Sequence, residues 1–259
     1  MIESKQIDLQ KNKSEYSLKG ILIAIAIIAT WAISLYFLLQ INISESSDWL
    51  MILAILWQTF LYTGLFITAH DAMHGVVFPQ NVKVNNSVGK VTLFLYALFS
   101  YDKLLKKHWS HHHNPASQND PDFHDGKHKN LFAWYFNFLK GYWDWKQAVG
   151  LILTFHLVRY TLHIPEPNLT LFWAVPAILS SVQLFYFGTF LPHRELEGGY
   201  KNIHRAQSTS LPVFWSFLSC YHFGYHEEHH EFPHVPWWGL PKVYRLKQND
   251  ERLEPVVNS

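Results

Sequence analysis

Long apolar runs alternate with short polar stretches along the chain, and the run lengths predict its elements. Gly20 to Ile41 is almost unbroken, reading "ILIAIAIIATWAISLYFLLQI" after the glycine. At about 1.5 Å per residue such a helix covers about 30 Å, one hydrocarbon core. The run closes on Phe-Leu-Leu-Gln-Ile and not on small residues, which favours a retained helix over a cleaved signal peptide. Trp49 to Ala69 is a second run of membrane length and ends directly at His70. Val88 to Tyr101 is apolar for only about 14 residues, too short for a simple crossing, and predicts a re-entrant or interfacial helix. Leu131 to Trp145 is rich in aromatics, broken by Gly141, and is expected to lie along the interface. Gln147 to His163 predicts a third, less apolar span containing His156 and Arg159, and Leu169 to Leu191 a fourth despite Pro176. The expected fold is all-α, one membrane-embedded domain over 1–259 with about four transmembrane helices plus interfacial or re-entrant ones. Residues 1–20 form a polar N-terminal segment and 243–259 a polar tail.

Charge gives this arrangement a direction. The linkers "NISESSD" (42–48) and "IPEPN" (164–168) carry no Lys or Arg, whereas 1–20, 102–130 and 192–259 carry many. The positive-inside rule then places both termini, and a cap holding nearly all the histidine clusters, on the cytoplasmic face. A net charge of +1 gives a nucleic-acid partner no electrostatic support. The single cysteine, Cys220, excludes an internal disulfide and a Cys-rich zinc or iron–sulfur site. The compositional outlier is histidine, with 17 residues.

Their spacing carries the chemistry. His70 and His74 in "HDAMH" stand i, i+4 at the end of the second span, so a helix stacks both imidazoles on one face. His108, His111 and His112 in "HWSHHH" stand i, i+3, i+4, and His226, His229 and His230 in "HEEHH" repeat that spacing. One such cluster is compatible with an exposed helix that binds nothing; three on one membrane face, two of them identical, point to a shared metal site. Imidazoles suit iron, copper, nickel or zinc. A mononuclear zinc site needs only three or four ligands, whereas eight histidines suit two ions with open positions. Imidazole-rich, carboxylate-poor coordination beside a bilayer points to non-haem di-iron and oxygen chemistry. His113 extends the second box, but on a helix it points about 100° away from its neighbour. His222, one turn before His226, is a further candidate for the third site. The acids Asp71, Glu227 and Glu228 either orient ligand N–H groups or are solvated charges balancing nearby lysines.

These motifs resemble the three-box pattern of the membrane fatty acid desaturase/hydroxylase superfamily. Longer stretches are similar to its bacterial-type β-carotene ketolase branch, the 4,4'-oxygenases: "HDAMHG" (70–75), "HWSHHHNPASQNDPDFH" (108–124), "FLPHR" (190–194) and "HFGYHEEHHEFPHVPWWGLP" (222–241). The likeness covers nearly all of 60–242. It implies one further metal ligand at the end of a late transmembrane helix, which maps to His193. Fatty-acyl desaturases carry an Asn one turn earlier to hold a metal-bound water; here that place is Thr189, a departure that counts against an acyl substrate. In the branch-like "DPDFH", Asp120 and Asp122 either orient ligands or cap a helix after Pro121. His204 and His234 read as supporting or loop residues, and His128, His156 and His163 as ordinary interfacial or packed ones.

The resemblance also implies the reaction. Two non-haem irons, O2 and two electrons per cycle would oxidise the allylic C4 methylene of a β-ionone ring. β-Carotene would give echinenone and canthaxanthin, and hydroxylated carotenoids would lead to astaxanthin. The apolar polyene would enter from membrane lipid along aromatics of 94–101, 131–145, 184–190 and 214–225, although interfacial belts explain many of these residues equally well. No dinucleotide, flavin or haem motif is visible in the sequence, so family analogy assigns the electrons to ferredoxin with its reductase. Alternatives are a carotenoid C3 hydroxylase, a fatty-acyl desaturase, or, outside enzymes, a His-rich divalent-metal transporter or sensor. A transporter would place polar ligands at mid-span, whereas these histidines gather at helix ends.

Overall fold

The computed structural model describes residues 13–257, with side chains from 17 to 249. Much of the polar N-terminal segment expected over 1–20 lies outside the described residues. Every regular element among the described residues is helical. They are α1 (Lys13–Leu38), α2 (Asp48–Met73), α3 (Val82–Ala97), α4 (Tyr101–His113), α5 (Leu131–Tyr142), α6 (Trp145–Thr161), α7 (Glu166–His193), α8 (Val213–Cys220), α9 (His226–Glu231) and α10 (Leu240–Val257). Among the described residues, three helices are long and apolar enough to cross a membrane: α1 over Ser17–Leu38, α2, and α7. The third expected span, 147–163, falls on α6, which is not among these three: it has 17 residues and turns Val149, Ile152, Leu153, Leu157 and Tyr160 outward. The apolar run 88–101 is divided between α3 and α4. Helix α3 begins earlier than expected because the Asn81 side chain accepts from the backbone N–H groups of Lys83 (3.0 Å) and Val84 (3.2 Å), a standard N-cap. It stops where Leu98 turns left-handed, at φ 56°. Gly141 does not break α5, which runs one residue past it.

The described chain packs as two compact units, one of residues up to 104 with 145–179, the other of 105–144 with 180 onward. In the first, α2 packs against α3 and α1. Its outer half exposes Trp49, Leu50, Ile52, Leu53, Leu56 and Trp57, as lipid contact requires, while Leu61, Tyr62, Leu65, Ile67 and Ala69 are buried. The end of α2 is tied down by its terminal carbonyls. Ala72 O accepts from Asn85 Nδ2 (2.7 Å) and from the Tyr101 hydroxyl (2.8 Å), satisfying a group that a helix C-terminus leaves orphaned. Gly89 makes this approach possible: a Cβ there would stand 2.2 Å from Tyr101 Cε2 and 2.9 Å from Ala72 Cβ. Gly89→Ala is therefore expected to cost about 1–3 kcal/mol, the usual range for overpacking, and to lower the thermal unfolding midpoint in detergent. An unchanged midpoint would contradict this packing.

The second unit holds the C-terminal half of α7, and α7 is not a regular helix. It widens into π turns at Thr170–Ala174 and Tyr186–Phe190, where the N–H groups of Val175 and Leu191 reach back five residues to Thr170 O and Tyr186 O. Each π turn lies just before a proline, Pro176 or Pro192. A helical proline lacks its N–H and clashes with the carbonyl four residues back; those carbonyls belong to Phe172 and Gly188, both inside the widened turns. Thus α7 survives two prolines and delivers His193 at its end.

Candidate metal centre

In the first unit, the last turn of α2 carries His70, and His74 is its C-cap residue. Their rings are 4.9 Å apart. His70 Nδ1 lies 3.6 Å from Asp71 Oδ1.

The second unit assembles two groups of histidines. In one, ligand atoms of His111, His193, His226 and His230 all lie within 4.8 Å of one another, and all four residues are buried. The Nε2 atoms of His111 and His230, of His230 and His226, and of His226 and His193 are each 3.1 Å apart. Protons cannot satisfy this set. His111 Nδ1 lies 3.0 Å from both oxygens of Asp120, and His193 Nδ1 lies 2.8 Å from Arg205 O. A carboxylate and a carbonyl only accept, so both Nδ1 atoms donate, and in the neutral imidazole both Nε2 atoms then present lone pairs. One proton each on His226 and His230 serves at most two of the three contacts without opposing two N–H groups or two lone pairs. A central cation reconciles all three. Ligands at about 2.05 Å around one ion stand about 2.9–3.3 Å apart between octahedral and tetrahedral geometry, which brackets the observed 3.1 Å. The donor set therefore fits a metal ion.

The other group contains His108, His112 and His229, whose ligand atoms also lie within 4.8 Å of one another. The Nε2 atoms of His112 and His229 are 3.1 Å apart. The His112 ring lies 4.2 Å from that of His230, so the two groups adjoin within the unit. Helix α4 places His108 and His112 one turn apart, as their i, i+4 spacing predicts, while His111 joins the first group, a division that the spacing did not predict. Helix α9, only six residues long, bears His226, His229 and His230.

Of the expected acids, Asp120 hydrogen-bonds a histidine of the four-residue group and Asp122 lies beside it. Asp120 accepts from His111 and from the backbone N–H groups of Ala116 (2.8 Å) and Asp122 (2.8 Å). No helix follows Pro121, so the alternative capping role falls away. Asp122 Oδ2 lies 3.8 Å from His111 Nδ1 and takes a hydrogen bond from the Tyr142 hydroxyl. Burial pushes the Asp122 carboxyl up to about 6; the His111 charge opposes this and the Asp120 charge adds to it. For His111, burial lowers the pKa, but the Asp120 hydrogen bond and both carboxylates outweigh it and the net direction is up. Burial and the surrounding histidines hold His230 well down, which keeps its imidazole neutral and ready to bind a metal.

Other candidates lie elsewhere. Glu227 does not orient a histidine but pairs with Lys247 at 2.7 Å. The neighbouring acid, Glu228, is buried and bonds Ser208. His113 is exposed, with Nδ1 2.5 Å from Trp109 O, and lies outside both groups. His222 also lies outside them, with Nδ1 3.2 Å from Ser216 Oγ and its ring among Phe217, Tyr225 and Trp237. Burial, then Arg245, lowers its pKa to about 4. Sequence reasoning missed Arg205 O, Tyr142 and Trp134. Trp134 is buried, donates to Asp122 O at 2.8 Å, and packs on Phe185 and Phe190, so aromatics of 131–145 and 184–190 here fill a core. No signal in the sequence could have found Arg205 O, since a backbone carbonyl leaves no mark in residue type.

Similarities to known proteins agree with these motifs. The fatty acid desaturase family, whose members are membrane-bound, matches residues 47–166 and 140–258. The chain is 41% identical over 84% of its length to a β-carotene ketolase of Paracoccus sp. (strain PC1), covering 89% of that protein. It is 39% identical over 88% of its length to β-carotene 4-ketolase 3 of Haematococcus lacustris, covering 79% of it. A zeaxanthin 4-ketolase of Chlamydomonas reinhardtii is 39% identical over 88% of the chain, which spans 54% of that relative. The chain belongs to the fatty acid desaturase family and, within it, to the group that contains these ketolases.

Proposed function

We propose that the protein is a carotenoid 4-ketolase: an O2-dependent membrane oxygenase that converts the C4 methylene of a β-ionone ring to a ketone. The observation that carries this reading is the set of four buried, converging imidazoles in a chain 41% identical to a β-carotene ketolase. His111, His193, His226 and His230 hold one iron. His108, His112 and His229 hold the other, and the three-box pattern adds His70 and His74 to the ligand set. Bound iron would supply O2 activation and the two-electron oxidation of an allylic C–H bond.

The chain's own residues fix the rest. Asp120 and Arg205 O hold two imidazoles in the tautomer that leaves Nε2 free, a common role for outer partners of metal ligands. Burial of the four histidines keeps bulk water from the centre. Two hydroxylations at C4, each using O2, two electrons and two protons and releasing one water, give a geminal diol; loss of water leaves the ketone. β-Carotene so yields echinenone and then canthaxanthin, and 3-hydroxylated rings lead to astaxanthin, as the zeaxanthin-named relative suggests. Ferredoxin with its reductase is the electron donor in this reading. The topology is four spans, with α6 the shortest, both termini and the histidine cap being cytoplasmic by the Lys/Arg bias.

Expression in a β-carotene-producing host tests this directly. The expected result is a red-shifted 4-keto pigment and two irons per purified chain, both lost after chelation. Zeaxanthin alone, or altered acyl chains, would move the substrate assignment elsewhere in the family. Exchangeable zinc without an oxygen-dependent product would indicate metal handling instead.

A further inference from the structure

We infer that the segment Arg205–Ser208 is a positioning strap that ties together the supports of the four-histidine group. This rests on the reading that the group holds a metal ion.

Three residues build the strap, Arg205, Gln207 and Ser208, and all their contacts lie within the second unit. Arg205 sits in the left-handed region at φ 44°, a conformation unusual for a residue with a side chain. It uses both ends. Its carbonyl accepts from His193 Nδ1 at 2.8 Å. Its Nη1 donates to Ala116 O at 3.0 Å, and the N–H of that same Ala116 donates to Asp120 Oδ2 at 2.8 Å. Asp120 in turn orients His111. One arginine thus closes a hydrogen-bonded path from His193 to His111, two ligands far apart in sequence.

Gln207 then fastens the strap to the end of α7. Its backbone N–H donates to Pro192 O and its Nε2 to Leu191 O, both at 3.0 Å, satisfying carbonyls left open at the helix end. Ser208 reaches the third support, α9. Its Oγ accepts from the backbone N–H of Glu227 at 3.1 Å and donates to the buried Glu228 carboxylate. Ser208 therefore acts as an N-cap supplied from another segment, since Tyr225 at the true cap position gives α9 no side-chain bond. A six-residue helix has little stability of its own. Such an external cap decides how His226, His229 and His230 are presented.

The experiment uses the full-length purified protein loaded with Co(II), whose visible absorption reports ligand geometry without turnover. Arg205→Ala and Ser208→Ala are each expected to change that absorption and to speed loss of one of two metal ions to a chelator at least tenfold. Ser208→Thr, which keeps the hydroxyl, restores wild-type retention. If Arg205→Ala does not accumulate, Arg205→Gly keeps the carbonyl and favours the same φ, and isolates the guanidinium contribution by the same readings. Wild-type spectrum and retention in both alanine variants would overturn the strap. Failure of the wild-type protein to take up cobalt would instead overturn the metal reading beneath it.

Discussion

His111→Ala is expected to abolish keto-carotenoid formation, with product falling by more than about a hundredfold. Removing merely an outer partner of a metal ligand costs about 10- to 100-fold, and this change removes the ligand itself. Two losses coincide at the position. The Nε2 atom that stands 3.1 Å from His230 Nε2 disappears, so the four-histidine group drops to three donors. Asp120, buried with its carboxylate aimed at the vacated Nδ1, keeps only the Ala116 and Asp122 N–H groups. A buried acceptor deprived of a partner costs about 1–3 kcal/mol, so the variant should also melt lower. His113→Ala is the matched control. That imidazole directly follows one ligand, His112, yet it is exposed and turned back to Trp109 O, and its loss should leave products and iron content unchanged. Pigment chromatography and iron per purified chain give both answers. Canthaxanthin at wild-type level from His111→Ala would remove this residue from the required shell.

The contrast between His111 and His113 also shows what residue order can reveal. Helical spacing alone separated them, because a side chain's direction on a helix follows from its number. Spacing did not reach His193; only the family resemblance pointed to it, at the helix end where that pattern places a ligand. Helical counting failed where the chain leaves regular geometry. The π turn at Tyr186–Phe190 changes the stacking, so counting back four residues from His193 to Thr189 does not describe a normal helical turn. The outer partners were legible only in part. Asp120 announced itself as a carboxylate near a box, but Glu227 announced itself equally and faces Lys247. Which acid meets a histidine depends on the loop 114–124 folding back on α4, a tertiary event with no periodicity. Span lengths were readable from apolar runs, whereas the start of α3 depended on a single cap, Asn81.

Gly188→Ala should disable the enzyme without touching a ligand. Gly188 lies in the second π turn, and a Cβ there would stand 2.2 Å from Phe223 Cε1 and 2.6 Å from Cδ1. Something must move. The Phe223 ring is buried, with the ring centres of His226 and His229 at 5.2 and 6.0 Å, so its retreat presses on α9. Its backbone is held by the bond from its N–H to Cys220 O (2.8 Å), directly after Tyr221 and His222, both at positive φ. Overpacking of this kind costs about 1–3 kcal/mol, which a folded protein of ordinary stability survives. The functional cost is larger, because displacing reacting groups by about 1 Å lowers rates about a hundredfold. The expected phenotype is a protein that accumulates in the membrane at near-normal level but forms keto-carotenoid about a hundredfold more slowly. The decisive measurement is the double variant. Phe223→Leu removes the ring that the new methyl meets, so Gly188→Ala/Phe223→Leu should recover activity relative to Gly188→Ala alone, a coupling expected only for residues in contact. If the two changes merely add, the clash is not the cause, and the glycine is needed for the π turn itself.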